Sequence, residues 1–176
     1  MFIIKKRYYL IIQNIKDINL IKIKKYNKFV IIYRNFDKRQ NITELQNFRT
    51  ECRAKFVKFF VANDIKLASL LHADGLYLSA HNKSFKPLHL KNKYEIIGSA
   101  HNLKEIYLKQ KQGCNQILLS KLFIVDYKIN DQTLGVVKFN NLLMQISNKL
   151  IPLGGIKSSN LNKLKVVNSS GFALFS

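Results

Sequence analysis

The chain has 176 residues, 47% of them hydrophobic, with seven glycines and two prolines. That composition fits one folded domain and excludes a long disordered linker. Thirty Lys and Arg against ten Asp and Glu give a formal net charge of +20, yet the cations are spread along the whole chain and interleaved with isoleucine, as in Ile21-Lys22-Ile23-Lys24-Lys25. This speaks against the one-sided patch of a nucleic-acid binder, which stays as the remote alternative.

No apolar stretch reaches the roughly 18 residues that cross a bilayer, so no membrane partner is expected. Met1 to Arg7 carries no small-residue cleavage site. Cys52 and Cys114 belong to no Cys or His cluster, which fits free thiols in the reducing cytoplasm.

In chain order, residues 7–13 predict a first strand and residues 15–26 a poorly formed helix. A strand at 29–34 precedes a helix at 42–54, whose start is marked by Asn41. Strand 56–62 leads into helix 65–71, and strand 76–79 into a loop or very short helix at 82–93. Strand 95–99 is followed by helix 103–112, preceded by Asn102 and closed by Gly113. Strand 116–120, helix 136–148, strand 150–153, helix 159–168 and strand 171–175 complete the set.

Eight short buried strands alternating with helices imply parallel βαβ units with right-handed crossovers. The expected fold class is α/β, a single short (βα)8 TIM-type barrel over residues 1–176. An open doubly wound sheet is disfavoured because Gln13-Asn14-Ile15-Lys16 lacks the glycine fingerprint. Only Ser176 follows the last strand, so the last outer helix is expected to be missing. The bare wall makes a homodimer an expectation.

Reactive groups of such barrels gather at the C-terminal strand ends. Those ends carry Arg34, Asn63-Asp64, Ser79-Ala80-His81-Asn82, Ser99-Ala100-His101-Asn102, Lys121, Gly154-Gly155 and Ser176. Gly154-Gly155 lets backbone N–H groups approach a ligand, and a helix starting near Ser159 points its positive end the same way; together they predict a phosphate site. Asp74 is expected to be a turn residue under the barrel, and His72 and His89 to be surface residues.

The motifs resemble those of the thiamine phosphate synthase and TenI-like superfamily. Ala73-Asp74-Gly75-Leu76-Tyr77-Leu78 is similar to that family's "ADGVHL" strand, and Asn63-Asp64 to the "ND" before it. Ile97-Gly98-Ser99-Ala100-His101-Asn102 resembles "IGVSTHN" with one residue fewer. Leu153-Gly154-Gly155-Ile156 with Asn160 matches "GGI-x3-N", and Gly171 to Ser176 matches the closing "GVAVVS".

The resemblance implies condensation of hydroxymethylpyrimidine diphosphate with thiazole phosphate, releasing pyrophosphate, with Mg2+ and cations around the departing group. By position it assigns Asp64, Arg34 and Lys128 to catalysis. Asn63 and Arg34 would bond the diphosphate, Ser99 would sit near the pyrimidine with His101 close by, and Gly154, Gly155 and Ser176 would bind the thiazole phosphate. Asp64 and Asn82 are the expected magnesium ligands.

The departures point to a divergent member. The family's "QLREK" reads Ile32-Tyr33-Arg34-Asn35-Phe36, leaving Lys38 as the nearest lysine. The second metal carboxylate is replaced by Asn82 or His81, and the family's "GPxFPT" loop loses its hydroxyls in Ser120-Lys121-Leu122-Phe123-Ile124-Val125. Lys121 stands where TenI-like tautomerases place a histidine. A phosphate-ligand binder without the metal chemistry is the alternative reading.

Overall fold

Each strand is four to six residues long and mostly apolar, so both of its faces want burial and a parallel sheet flanked by helices is the arrangement that buries both. The computed structural model describes residues 7–23, 28–35, 41–125 and 133–175. Its eight strands are β1 (Arg7–Ile12), β2 (Phe29–Tyr33), β3 (Lys58–Ala62), β4 (Gly75–Leu78), β5 (Glu95–Ala100), β6 (Gln116–Ser120), β7 (Lys149–Leu153) and β8 (Gly171–Phe175). They close in sequence order into a parallel barrel. The seam pairs β1 with β8 from Arg7↔Gly171 to Ile11↔Phe175. The expected TIM-type (βα)8 class is the one observed.

Four α-helices cover the outside: α1 (Ile42–Ala54), α2 (Ile65–Leu70), α3 (Leu103–Lys111) and α4 (Gly135–Gln145). Two have their predicted caps, Asn41 and Asn102, and α2 is capped by Asp64, which was expected to be a magnesium ligand; each side chain accepts from the third helical N–H. The connection after β1 is two 3-10 turns, Ile15–Asp17 and Leu20–Lys22, in place of the weak helix expected there. The segment expected as a helix at 159–168 is a 3-10 run, Ser158–Val166. None of these helices is long and apolar enough to cross a membrane.

The period of two along each strand divides the core. Tyr9, Ile32, Phe60, Tyr77, Ile97 and Leu118 fill the barrel interior. The opposite strand faces pack against the helices, Ile31 and Phe59 against Leu45 and Phe48 on one side, Ile117 and Leu150 with Ile106 and Phe139 on the other. Cys52 and Cys114 are buried free thiols, and burial pushes both up to about 12.

The N-terminal end of the barrel is closed by polar ties. Asp74 accepts from the Phe59 N–H at 2.7 Å and pairs with Arg49 at 3.0 Å, while Arg49 also donates to the His72 carbonyl. Asp74 is thus the turn residue expected under the barrel. Strand β3 begins at Lys58, two residues later than predicted, because Phe56 takes a left-handed φ of 55° and Val57 N–H closes back onto the Cys52 carbonyl at 2.9 Å. That is the glycine-type ending of α1 made by a phenylalanine.

Candidate active site

At the C-terminal mouth the strand period of two continues past the last core side chains. Ser79 follows Tyr77, Ser99 follows Ile97 and Ser120 follows Leu118. Small hydroxyl side chains therefore follow the large apolar ones at these strand ends, with Ser79 and Ser99 buried. Of these the resemblance gives a role to Ser99 alone; Ser79 stands among the expected strand-end groups, and counting two positions beyond each inward residue also finds Ser120.

Between β3 and β4 the mouth is tightly tied. Asn63 has a left-handed φ of 57°, a conformation asparagine tolerates better than most residues. Its Nδ2 donates to Ser79 Oγ at 3.1 Å, and its Oδ1 accepts from Ser79 N–H at 3.0 Å and from Asn82 Nδ2 at 2.9 Å. The Asn82 Oδ1 in turn accepts from Ser84 N–H at 2.9 Å. Asp64 is exposed, with Oδ1 accepting from Leu67 N–H at 2.9 Å at the start of α2. The structure therefore brings Asn63 and Asn82 together through an amide network and sets Asp64 beside them in sequence as a helix cap.

Beneath this network lies a residue the sequence reading missed. Lys109 on α3 is fully buried, and its ammonium donates to the Ser79 carbonyl at 2.7 Å, the Asn82 carbonyl at 2.8 Å and Gln112 Oε1 at 2.9 Å. Those three bonds satisfy all its donors. Gln112 also donates to the Asn82 and Ser84 carbonyls, so one helix holds the whole turn after β4. The stem passes over Gly98, where an added Cβ would lie 2.9 Å from Lys109 Cγ and Cδ. Burial lowers the Lys109 pKa. A glycine on the outer face of β5 opposite a lysine of α3 was the available sequence signal.

Arg34 and Ser99 converge on Tyr77. The Tyr77 hydroxyl is buried, which raises its pKa, while a hydrogen bond with Ser99 and the positive charge of Arg34 act against that rise. His101 is drawn elsewhere: its N–H and Nδ1 both meet Glu105 Oε2, at 2.7 and 3.0 Å, in the first turn of α3. Burial alone would raise Glu105, but the His101 contacts outweigh it and its pKa is lowered.

The turn after β7 is braced from two sides. Gly154 and Gly155 have φ of 91° and 67°. A Cβ on Gly155 would come within 2.5 Å of the Ile124 carbonyl oxygen, so only glycine lets the two loops pass. Phe123 N–H donates to the Gly154 carbonyl at 3.1 Å. Asn160 Nδ2 donates to the Gly155 carbonyl at 2.7 Å while its Oδ1 accepts from Lys157 N–H at 2.9 Å, which explains the asparagine in the Gly-Gly-Ile motif. Ser120 and Lys121 border Gly154. Lys128 and Ser176, as well as Lys38, lie outside the described residues.

As a metal centre the mouth is poorly equipped. Among the described residues its donor set near Asn63 holds one carboxylate, Asp64, and that carboxylate caps a helix. No group of three His, Cys, Asp or Glu that could hold a metal occurs among the described residues. Asn82, the other expected ligand, is an amide already engaged on both its side-chain atoms, and its carbonyl accepts from the buried Lys109 ammonium. The described residues form no all-protein Mg2+ cage: the ion is held through one or two carboxylates with waters and substrate phosphates, and the one carboxylate here already caps a helix.

A family model described as thiamine monophosphate synthase matches residues 16–176. A thiamine-phosphate synthase of Prochlorococcus marinus is 28% identical over 130 residues, covering 73% of this chain and 38% of the relative. One of Clostridioides difficile is 21% identical over 145 residues, covering 81% and 69%. The chain thus spans well under half the length of that first relative. Among solved structures, the thiamine phosphate pyrophosphorylase of Pyrococcus furiosus superposes with a TM-score of 0.75 at 18% identity, covering 98% of this chain and 86% of the other. Phosphoribosyl anthranilate isomerase of Thermotoga maritima shares the fold with a TM-score of 0.67 at 13% identity, covering 97% and 87%. With the family model matching nearly the whole chain and the barrel closing as the motifs imply, the chain belongs to the thiamine monophosphate synthase family.

Proposed function

We propose that the barrel mouth binds phosphorylated thiamine precursors and condenses hydroxymethylpyrimidine diphosphate with thiazole phosphate, releasing pyrophosphate. The observation that carries this reading is the turn at Gly154-Gly155, held in shape by Asn160 and by the loop after β6. A phosphate seated there meets backbone groups whose positions are fixed before binding, so little ordering cost remains. Lys121 adds a positive charge at the rim.

In this reading Arg34 stabilises the charge that gathers on the leaving diphosphate. Ser99, fixed by Tyr77, orients the pyrimidine. The apolar barrel floor below them excludes water from the cation left when the carbon–oxygen bond breaks. Asn63 holds the ends of β3 and β4 in register beneath the diphosphate.

The lone carboxylate favours a second reading, a phosphate-ligand binder that no longer performs the condensation. Incubating the purified protein with Mg2+ and both precursors separates the two. Formation of thiamine phosphate, lost in Arg34→Ala, supports the transferase. No product, together with a thermal shift on adding thiazole phosphate, refutes it and leaves the binder. Neither product nor shift refutes both.

A further inference from the structure

The expectation of a magnesium site at Asp64 and Asn82 conflicts with what the chain places there, and the conflict has a direction. We infer that the β3–β4 half of the mouth takes its phosphate anion without a resident metal, the positive field coming from the ammonium of Lys109. This rests on the reading of the mouth as a phosphate site.

Three independent observations support it. The first is charge: a site with one carboxylate, Asp64, that already caps a helix holds a divalent ion weakly, and Asn82 adds only a neutral amide whose oxygen is bonded to Ser84 and whose nitrogen faces Asn63. The second is Lys109. It is fully buried and forms no salt bridge among the described residues; its ammonium is held by carbonyl dipoles, with the Glu105 carboxylate acting on it from farther off. A buried cation with no carboxylate in direct contact, bonded to the Asn82 backbone, repels a second cation at the Asn82 side chain and attracts an anion, and low local dielectric strengthens both effects.

The third is the direction of the peptides. The Ser79 and Asn82 carbonyls point at the ammonium. In a trans peptide the N–H opposes the C=O, so the N–H groups of Ala80 and Lys83 point away from it. Drawing two carbonyls to one side thus turns donor ends to the other, a backbone arrangement suited to anions. Gly98 is part of the device, since a side chain there would collide with the Lys109 stem.

The test is binding, not turnover. Titration of the protein with Mn2+ alone, followed by electron paramagnetic resonance, is expected to show no stoichiometric site. Calorimetry with pyrophosphate in EDTA is expected to show one-to-one binding. Lys109→Met should weaken that binding by about ten-fold, the scale of one charge removed at moderate range. Mn2+ should bind the double variant Asn82→Asp with Lys109→Met at one to one and about ten-fold more tightly than Asn82→Asp alone, a difference that a merely structural lysine would not give.

A stoichiometric Mn2+ site in the unaltered protein that disappears in Asp64→Asn overturns the inference, as does pyrophosphate binding that vanishes in EDTA. Affinity unchanged in folded Lys109→Met overturns the role of the lysine. Thiazole phosphate binding, measured in the same samples, separates the two failures. If it persists while pyrophosphate binding is absent, only this inference falls; if neither ligand binds, the phosphate reading falls with it.

Discussion

Replacing Asp74 by alanine should unfold the protein more easily without touching its chemistry. Two bonds are lost: Oδ2 from the Phe59 N–H at 2.7 Å and Oδ1 from Arg49 Nη2 at 3.0 Å. The Phe59 side chain is fully buried and the Arg49 side chain is 11% exposed, so water replaces neither bond well. A hydrogen bond to a charged group contributes about 1.5–3 kcal/mol, and Asp74 is itself a third exposed, so a combined loss of about 3 kcal/mol is the reasonable figure. For a domain of this size that lowers Tm by about 6–12 °C.

Asp74→Asn keeps an acceptor for the Phe59 N–H and should lose about half as much. Thermal unfolding followed by circular dichroism reads both variants. A double-mutant cycle with Arg49→Met isolates the ion pair. The reasoning is refuted if Asp74→Ala leaves Tm unchanged while abolishing ligand binding or product formation, because Asp74 would then belong to the site.

Other consequences can be checked separately. Phe56→Gly removes a bulky residue from a left-handed C-terminal cap and should stabilise the fold by about 1 kcal/mol, raising Tm by a few degrees; a fall in Tm would contradict the strain. Cys52 and Cys114, buried and pushed up to about 12, should resist iodoacetamide at pH 8 in the native protein and react once it is denatured. Gly155→Ala should weaken thiazole phosphate binding at least about ten-fold by displacing the 123–124 backbone, with an unchanged affinity counting against the phosphate site. Because the Glu105 carboxyl is held below its usual range, its contribution is present above the unfolded value and lost as pH falls through the folded one. The Tm gap between the parent and Glu105→Gln should therefore be widest near neutral pH and close in acid.

The strands were readable because a barrel strand is buried on both faces and shows as a short apolar run, as Phe59-Phe60-Val61 does. Caps at Asn41 and Asn102 were readable because they act within four residues of chain. What escaped was set by contacts across the sheet. Phe56 gave no sign that it would take a glycine conformation, so β3 was started too early. Lys109 looked like one of many lysines in an amphipathic helix, and only the approach of α3 to the turn after β4 makes it a buried cation. The site was legible as a set of strand ends. Which residues serve the helices, as His101 and Asp64 do, and which remain for a ligand depends on bonds no motif encodes.

The seam between β1 and β8 has a consequence for how the molecule comes to exist. Its registered pairs, from Arg7 with Gly171 onward, join residues at opposite ends of the described chain. Every other strand pairs with a sequence neighbour, so those contacts close short loops, while the seam pays the largest loop-closure entropy of the fold. During synthesis the open edge of β1 must wait for the last strand, with its hydrogen-bonding groups unpaired. Slow, late-committing folding is thus built into the topology, and mutations that loosen β8 should show first as aggregation during expression.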